Sequence, residues 1–280
     1  MKIMKTIKNF CSSNERQLIE IAILTVVVVV PLLNNLPSVF KGYLAETQLS
    51  PDNFFIYLAV KKGSCVASLI LLLIAWYYIR KANSDDEFIM NQQYVYHNYP
   101  YWWYCFCAKI LNIEKCNLIL VPIFMQFKLV IRSTFKEYPL NEEDYPTITE
   151  QESDFKVTVC NADMQKDEIN IILEDTYTIS KRQLPSRKQS LRTIKISRND
   201  GIDVGRHFSQ AYIDTVINQI RKLGQNITVN VFSTTNPLNT MHIARRAFGL
   251  GNRGNINHLY VFQQSNEGDR LFEKEGHKIY

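Results

Sequence analysis

Two adjacent acids, Glu174 and Asp175, are the side chains of this sequence best suited to acid–base chemistry. They stand at the end of the apolar run Ile169 to Glu174, which has the composition of a buried β-strand. Open α/β sheets gather ligand-binding groups beyond the carboxyl ends of their strands, so one interpretation gives this pair a catalytic or ligand-binding role. The alternative is that they are acids in an ordinary turn.

A basic segment follows these acids and predicts an anionic ligand. In the 26 positions from 181 to 206, eight basic residues stand against Asp200 and Asp203, which gives a local net charge of +6. This charge suits the phosphate groups of a nucleic acid, a nucleotide or an anionic lipid. The alternative is a solvated loop without a ligand, because no aromatic stacking platform accompanies it. The eight residues are Lys181, Arg182, Arg187, Lys188, Arg192, Lys195, Arg198 and Arg206.

Signatures of common enzymes and of metal sites are missing from the sequence. It contains no P-loop, no H-E-x-x-H pair and no G-x-S-x-G elbow, and its six cysteines include no C-x-x-C pair. No metal or cofactor is therefore expected, and whether the chain is an enzyme stays open.

Two apolar segments predict a transmembrane hairpin within residues 1–90. Residues 18–40 would extend about 34 Å as a helix, enough for a hydrocarbon core of about 30 Å. The apolar run 64–79 has only 16 residues, so the second span must borrow upstream residues and is placed at about 55–79. Polar residues in or beside these spans are functional candidates, because they are costly in lipid. They are Glu20, Asn34, Asn35, Lys61 and Lys62, the last four near the outer ends of the spans.

The distribution of basic residues predicts that both termini lie in the cytoplasm. Four basic residues precede the first span and two follow the second, whereas the connecting loop carries Lys41. Lys61 and Lys62 reduce this contrast, since they lie on the outer side in this topology. A cleaved signal peptide is the rival interpretation of the first segment, but no cleavage site of small residues closes it.

Two segments of different character connect the hairpin to the rest of the chain. Residues 91–136 are rich in aromatic side chains, which either lie along the membrane interface or pack in a core. Within them, residues 118–131 are too short for a span and predict a buried or interfacial element. Residues 137–154 are acidic and contain two prolines, as is typical of a solvated linker.

Residues 155–280 predict a cytoplasmic α/β domain. Apolar runs alternate with helical patterns there, which favours βαβ units and a mostly parallel sheet. The first two runs, 155–160 and 169–174, are expected to form a hairpin. Helices are expected over 206–223 and 238–248, where apolar residues recur at helical spacing.

This layout, a short basic N-terminus, two membrane helices, an aromatic stretch and a basic soluble domain, resembles the two-helix membrane effectors of bacterial retron anti-phage systems. The resemblance implies a bacterial inner-membrane protein that is held silent by a reverse transcriptase with its RNA–DNA hybrid. On phage interference such an effector permeabilises the membrane and stops growth. The basic segment would then contact the hybrid or its protein carrier, and the helices would assemble in the lipid bilayer as a homo-oligomer.

Two alternatives to this function stay open. A membrane-tethered enzyme acting on nucleotides would use Glu174 and Asp175 as acids in a pocket of the parallel sheet. A membrane effector gated by a cyclic oligonucleotide would share the membrane mechanism and differ in its signal.

Overall fold

The computed structural model describes residues 2–33, 63–140, 145–147, 155–163, 167–198, 206–249, 256–265 and 268–280. Asn34, Asn35, Lys61 and Lys62, with the adjoining ends of the two predicted spans, lie outside the described residues. The chain forms two units. The first comprises Met1–Val95 and Trp102–Lys115, and the second comprises Tyr96–Tyr101 and Cys116–Tyr280.

Three helices begin the first unit: α1 (Lys2–Ser13), α2 (Glu15–Leu33) and α3 (Gly63–Asp85). Helices α2 and α3 pack side by side, and the Ser68 hydroxyl donates a hydrogen bond of 2.9 Å to the Val28 carbonyl across the pair. With 19 and 23 residues they extend about 28 Å and 34 Å. Both are long and apolar enough to cross a membrane.

Helices α2 and α3 extend beyond the predicted spans at the end where they meet. Helix α2 begins before Leu18, and α3 continues past Ile79. The predicted spans end at polar residues, because they were drawn from hydropathy. The helices continue past these residues, since polar side chains are stable in a helix when they have polar partners. Here the guanidinium of Arg16 lies 2.9 Å from the Asp86 carboxylate, so the start of α2 and the end of α3 are tied together.

Three short elements follow α3 in the chain: β1 (Ile89–Met90), α4 (Tyr101–Lys109) and β2 (Lys115–Cys116). The Trp103 indole donates a hydrogen bond of 3.0 Å to Asn14 Oδ1, and its ring stacks on Phe106 with centroids 5.9 Å apart. The sequence predicted two alternative locations for the aromatic stretch, a packed core or the membrane interface. Trp103 is buried in the first unit, whereas Trp102 exposes 65% of its surface.

A six-stranded mixed sheet organises the second unit. Its strands are β3 (Phe155–Cys160), β4 (Glu168–Glu174), β5 (Arg192–Arg198), β6 (Ile227–Ser233), β7 (Ile256–Phe262) and β8 (His277–Lys278). They lie in the order β3-β5-β4-β6-β7-β8. The pairs β5/β4, β4/β6 and β6/β7 are parallel, and the edge strands β3 and β8 are antiparallel to their neighbours. The prediction of an α/β domain with a mostly parallel sheet is confirmed.

The predicted hairpin between β3 and β4 was wrong. Strand β3 pairs with β5, from Phe155 opposite Arg198 to Cys160 opposite Thr193, and β4 lies between β5 and β6. Strand β4 is buried along almost its whole length, whereas most side chains of β3 are partly or fully exposed. A strand with two buried faces needs a neighbour on either side, so β4 occupies the interior and β3 an edge.

The helices of the second unit are α5 (Ile123–Ile131), α6 (Gln210–Arg221) and α7 (Pro237–Ile243), the last extended by a π-helical turn (Ala244–Phe248). Helix α6 begins where the Ser209 hydroxyl accepts a hydrogen bond of 3.2 Å from the Tyr212 amide. The Tyr212 ring packs against Phe155 of β3, so α6 covers that face of the sheet. Helix α5 packs against β7 and α7, which gives residues 118–131 a buried position.

The opposite face of the sheet is covered by two 3₁₀ turns, Lys181–Gln183 and Ser186–Lys188, and by the segment that follows β7. An apolar cluster lies between these layers and consists of Ile172, Ile179, Leu184, Phe232, Phe262 and Phe272. The rings of Phe232 and Phe262 stack with centroids 4.4 Å apart. Close packing of these side chains fixes the 3₁₀ turns on the sheet.

Part of the acidic segment 137–154 also contributes to the core of the second unit. Tyr138 and Tyr145 are both buried. The Tyr138 hydroxyl donates a hydrogen bond of 2.6 Å to the Leu129 carbonyl, and burial raises the pKa of this phenol. The division into domains drawn from composition stays a prediction.

Candidate functional site

The two acids at the carboxyl end of β4 point to opposite faces of the sheet, because successive side chains of a strand alternate. Glu174 lies on the face of the 3₁₀ turns, and Asp175 lies on the face of α6. On each face the acid meets a cation of the neighbouring strand β5: Glu174 meets Lys195, and Asp175 meets Arg198. The candidate acids are thus paired with two of the predicted phosphate-binding cations.

Asp175 is fully buried within a set of polar partners. Its Oδ1 lies 3.0 Å from Nη2 of Arg198, whose side chain is only 6% exposed. Its Oδ2 accepts hydrogen bonds from the amide and side chain of Asn236, both at 3.1 Å, and from the side chain of Asn239 at 2.9 Å. Burial raises the pKa of the nearby Tyr212 phenol, and the charge of Asp175 raises it further. A buried charge needs such partners to be stable.

Asn236 and Asn239 connect this carboxylate to the start of α7. The side-chain oxygen of Asn236 caps the helix by accepting from the Asn239 amide at 2.9 Å, and both side-chain amides donate to the His207 carbonyl. Sequence reasoning missed both asparagines. Their signal is the run Asn236 to Asn239, in which an asparagine and a proline stand at the start of a helix.

Glu174 holds the loop that follows β4. The Lys195 ammonium lies 2.5 Å from its carboxylate, and the carboxylate also accepts a hydrogen bond from the amide of Ile179. Lys195 donates in addition to the Ile179 carbonyl at 3.1 Å. Glu174 and Lys195 therefore fix the loop on one face, while the catalytic role considered for Glu174 stays a prediction.

Lys188 takes part in a third pair, with Glu168 at the start of β4. Glu168 also accepts a hydrogen bond of 2.8 Å from Asn230. Burial by itself raises the pKa of Glu168, but the hydrogen bonds from Lys188 and Asn230 and the charge of Lys188 lower it below the ordinary value. Three of the eight basic residues are therefore neutralised by neighbouring acids.

Two other members of the basic segment, Arg182 and Arg187, line a cavity of about 560 Å³ together with Lys274. All three side chains are exposed to solvent. Lys274 comes from the segment after β7 and was missed by the sequence analysis, because no local pattern connects it to the 3₁₀ turns. The cavity also contains one carboxylate, Glu275, so cations outnumber acids by three to one.

Direct hydrogen bonds between its two walls build this cavity. The side-chain amide of Gln183 donates to the carbonyls of Asp269 and Arg270 at 3.0 Å and 3.4 Å. The Phe272 amide donates to the Gln183 carbonyl at 3.0 Å. The buried side chains of Leu184 and Phe272 belong to the apolar cluster and form an apolar part of the lining.

The remaining basic residues do not line this cavity. Lys181 is exposed on the first 3₁₀ turn, Arg206 is exposed before α6, and Arg192 is half-buried at the start of β5. The structure thus divides the predicted basic segment into members of ion pairs, residues that line the cavity, and residues that do neither within the described part of the chain. Across the described ranges, no three His, Cys, Asp or Glu side chains are grouped closely enough to hold a metal ion.

The first unit has a polar cluster of its own, which joins α2 to α3. Glu20 of α2 is buried and accepts hydrogen bonds from Arg16 at 3.2 Å and from the side-chain amide of Asn83 at 3.1 Å. Asn83 also donates to the Leu111 carbonyl at 2.9 Å. Of the predicted polar residues of the spans, Glu20 is the one that falls within the described ranges, and it faces protein.

A family model covers nearly the whole chain. The family is described as the SMODS- and Ubiquitin system-associated 2TM effector domain, and its model matches residues 2–280. This description names two transmembrane helices, in agreement with the two long apolar helices α2 and α3, and it names an effector but not retrons. No curated protein matches the chain.

Solved structures resemble the chain only distantly. One is the Acinetobacter baumannii Cap4 SAVED/CARF-domain containing receptor with the cyclic trinucleotide 3'3'3'-cAAA, with a TM-score of 0.42 and 8% identity over 85% of this chain and 64% of that chain. The same receptor with 2'3'3'-cAAA gives a TM-score of 0.37 and 10% identity over 64% and 41%. This chain therefore spans less than two thirds of those receptors, and likeness at this level carries no conclusion about its ligand.

Proposed function

Because this chain belongs to the family of SMODS- and ubiquitin-system-associated 2TM effector domains, we propose that it is a bacterial anti-phage effector that acts on the inner membrane. Helices α2 and α3 cross the bilayer and perturb it, and the α/β unit receives the activating signal in the cytoplasm. A homo-oligomer of the helices in the membrane forms the lesion.

The exposed apolar surface of α2 and α3 carries this proposal. Val26 of α2 exposes 55% of its surface and Leu69 of α3 exposes 56%. Apolar side chains around both helices behave alike: Ile19, Ile23, Val29, Val30, Leu32, Leu33, Ile70, Leu71, Leu73 and Ile74 all expose two fifths or more. Surfaces of this size are unfavourable in water and favourable in lipid.

The pairing of α2 with α3 supports a hairpin with both termini in the cytoplasm. Arg16 and Asp86 meet at one end of the pair, so the chain enters and leaves the bilayer on the same side. More basic residues flank that end than the other. Lys2, Lys5, Lys8, Arg16, Arg80 and Lys81 lie there, against Lys41, Lys61 and Lys62 on the other side. Retention of basic residues in the cytoplasm favours this orientation.

For the signal, we propose a phosphate-bearing nucleotide such as a cyclic oligonucleotide, the alternative that the sequence left open. Support comes from the cation-lined cavity of the second unit, which has the size of a small-ligand site. A reverse transcriptase with its RNA–DNA hybrid is the other signal considered, and the family description gives it no support.

Fractionation and dye leakage test the membrane part of the proposal. The full chain is expected to remain in the membrane pellet after carbonate extraction. When it is reconstituted in dye-loaded liposomes, it should release the dye after the nucleotide signal is added. A variant with Val26→Asp and Leu71→Asp places charges on both spans and should lose both properties. The control variant, Lys156→Ser on the edge strand β3, should retain them. Recovery of the unaltered chain in the soluble fraction would contradict the proposal that α2 and α3 cross the membrane.

A further inference from the structure

We propose that the cavity between the 3₁₀ turns and the segment after β7 binds a nucleotide, with Arg182, Arg187 and Lys274 contacting its phosphate groups. This inference rests on the proposed function and deepens it, because it assigns the signal to a site.

The charge of the cavity is available to a ligand. Lys188, Lys195 and Arg198 of the same segment each pair with a carboxylate, but among the described residues no carboxylate lies within ion-pair distance of Arg182 or Arg187. Both guanidinium groups are exposed. Guanidinium groups recognise phosphate oxygens through paired hydrogen bonds, which makes a phosphate the favoured anion here.

The apolar part of the lining favours a nucleotide over a free phosphate ion. Leu184 and Phe272 contribute to the cavity, and Leu271 exposes half of its surface there. A phosphate ion gains nothing from apolar side chains, whereas a base or a ribose buries its surface against them.

The size of the cavity separates a small nucleotide from a nucleic acid. Its volume of about 560 Å³ lies within the range of roughly 300 to 1,000 Å³ that is typical of small-ligand sites. An RNA–DNA hybrid would instead need a basic surface along several phosphates. The cations that would extend such a surface, Lys188, Lys195 and Arg198, are engaged with acids.

The walls of the cavity are joined before any ligand arrives. Gln183 bridges the first 3₁₀ turn to the carbonyls of Asp269 and Arg270, and Phe272 bonds back to Gln183. A preformed site loses little conformational entropy on binding, which favours affinity. It also gives the ligand contact with two segments that are distant in sequence.

Direct binding to the purified full chain in detergent micelles tests the site. The probes are cyclic tri-adenylate, cyclic di-adenylate, ATP, inorganic phosphate and a short RNA–DNA hybrid, each titrated by calorimetry. At least one nucleotide is expected to bind more tightly than inorganic phosphate. The double variant Arg182→Gln, Arg187→Gln should weaken the affinity for that nucleotide about tenfold or more, since each substitution removes charge-assisted hydrogen bonds to phosphate.

A matched control removes the same charge elsewhere. Arg221→Gln with Lys222→Gln alters two exposed residues at the end of α6, which covers the other face of the sheet, and should leave the affinity unchanged. Without ligand, both double variants should unfold at the wild-type temperature, because the altered side chains are exposed. A weakened affinity in a variant that keeps its fold therefore reports the site.

Three outcomes would overturn the inference. They are the failure of every nucleotide to bind more tightly than phosphate, equal affinities in the cavity variant and its control, and tighter binding of the RNA–DNA hybrid through the same arginines. Dye leakage is measured separately in liposomes. Nucleotide binding without membrane leakage would support the binding site and contradict the proposed membrane function. Leakage without nucleotide binding would support the membrane function and contradict the binding site.

Discussion

Asn83 and Glu20 are joined by a hydrogen bond of 3.1 Å that connects the two apolar helices. Asn83 is buried and has a second bond, to the Leu111 carbonyl, while Glu20 has a second partner in Arg16. A buried carboxylate depends on such donors, because its desolvation is otherwise uncompensated. This pair is therefore expected to control how firmly α2 and α3 associate.

We predict that Asn83→Ala destabilises the first unit by about 1–3 kcal/mol, because Glu20 loses a donor while it stays buried. Thermal unfolding in detergent, followed by circular dichroism at helical wavelengths, measures this change. The control is Ser84→Ala, an exposed neighbour on the same helix. Equal unfolding temperatures for the two variants would show that the bond between Asn83 and Glu20 adds no stability.

The ion pair of Asp175 with Arg198 supports a second prediction, about the α/β unit. Arg198→Met removes the cation and leaves a fully buried carboxylate, a change that typically costs about 3–5 kcal/mol. Arg206→Gln alters an exposed member of the same basic segment and should stay within about 0.5 kcal/mol of the wild type. Urea titration of both variants distinguishes a structural cation from a solvated one.

The double variant Asp175→Leu, Arg198→Met gives an independent check of this pair. Because it removes both charges, its loss of stability should be smaller than the sum of the two single losses. Additive losses would mean that the two side chains do not depend on each other.

The environment of Glu168 predicts a pH dependence of stability. Its pKa lies below the ordinary value of 4.5, because hydrogen bonds from Lys188 and Asn230 and the charge of Lys188 outweigh its burial. A group whose pKa falls on folding stabilises the folded state above its unfolded pKa and loses that contribution as the pH falls through the folded value. Glu168→Gln should therefore unfold at a lower temperature than the wild type at neutral pH, and the difference should shrink below about pH 4.5.

The control for this experiment is Asp163→Asn, an exposed residue after β3. Its unfolding temperature should follow that of the wild type across the same pH range. A difference between Glu168→Gln and the wild type that stays constant down to pH 3 would exclude the Glu168 carboxylate as its source.

Local patterns of the sequence predicted the helices and strands of this fold better than the contacts between them. The apolar content of residues 18–40 and 64–79 indicated two helices, and the spacing of apolar residues in 206–223 indicated α6, since both signals depend on neighbours in the chain. The pairing of β3 with β5 depends on residues far apart in sequence and was missed. The ion pairs of Lys195 and Arg198 were missed for the same reason, so the basic segment appeared more available to a ligand than it is.

Native cysteines allow the proposed topology to be read without new labels. Cys11 precedes α2 and Cys160 ends β3, and both are exposed outside the two spans. Cys65 lies inside the second span, where its thiol does not ionise and so does not react with a water-soluble reagent. With both termini in the cytoplasm, a membrane-impermeant maleimide added to intact cells should label neither Cys11 nor Cys160. The same reagent added to inverted membrane vesicles should label Cys11 and Cys160.

Two buried cysteines and one substitution complete this experiment. Cys107 and Cys116 are buried, and burial raises the pKa of the Cys107 thiol, so the maleimide should leave both unmodified until the protein is denatured. Cys160→Ser should reduce the labelling of inverted vesicles and leave intact cells unlabelled. Labelling of Cys160 from outside intact cells would show that the topology is the reverse of the proposed one. The α/β unit, with its nucleotide cavity, would then lie on the wrong side of the membrane for a cytoplasmic signal.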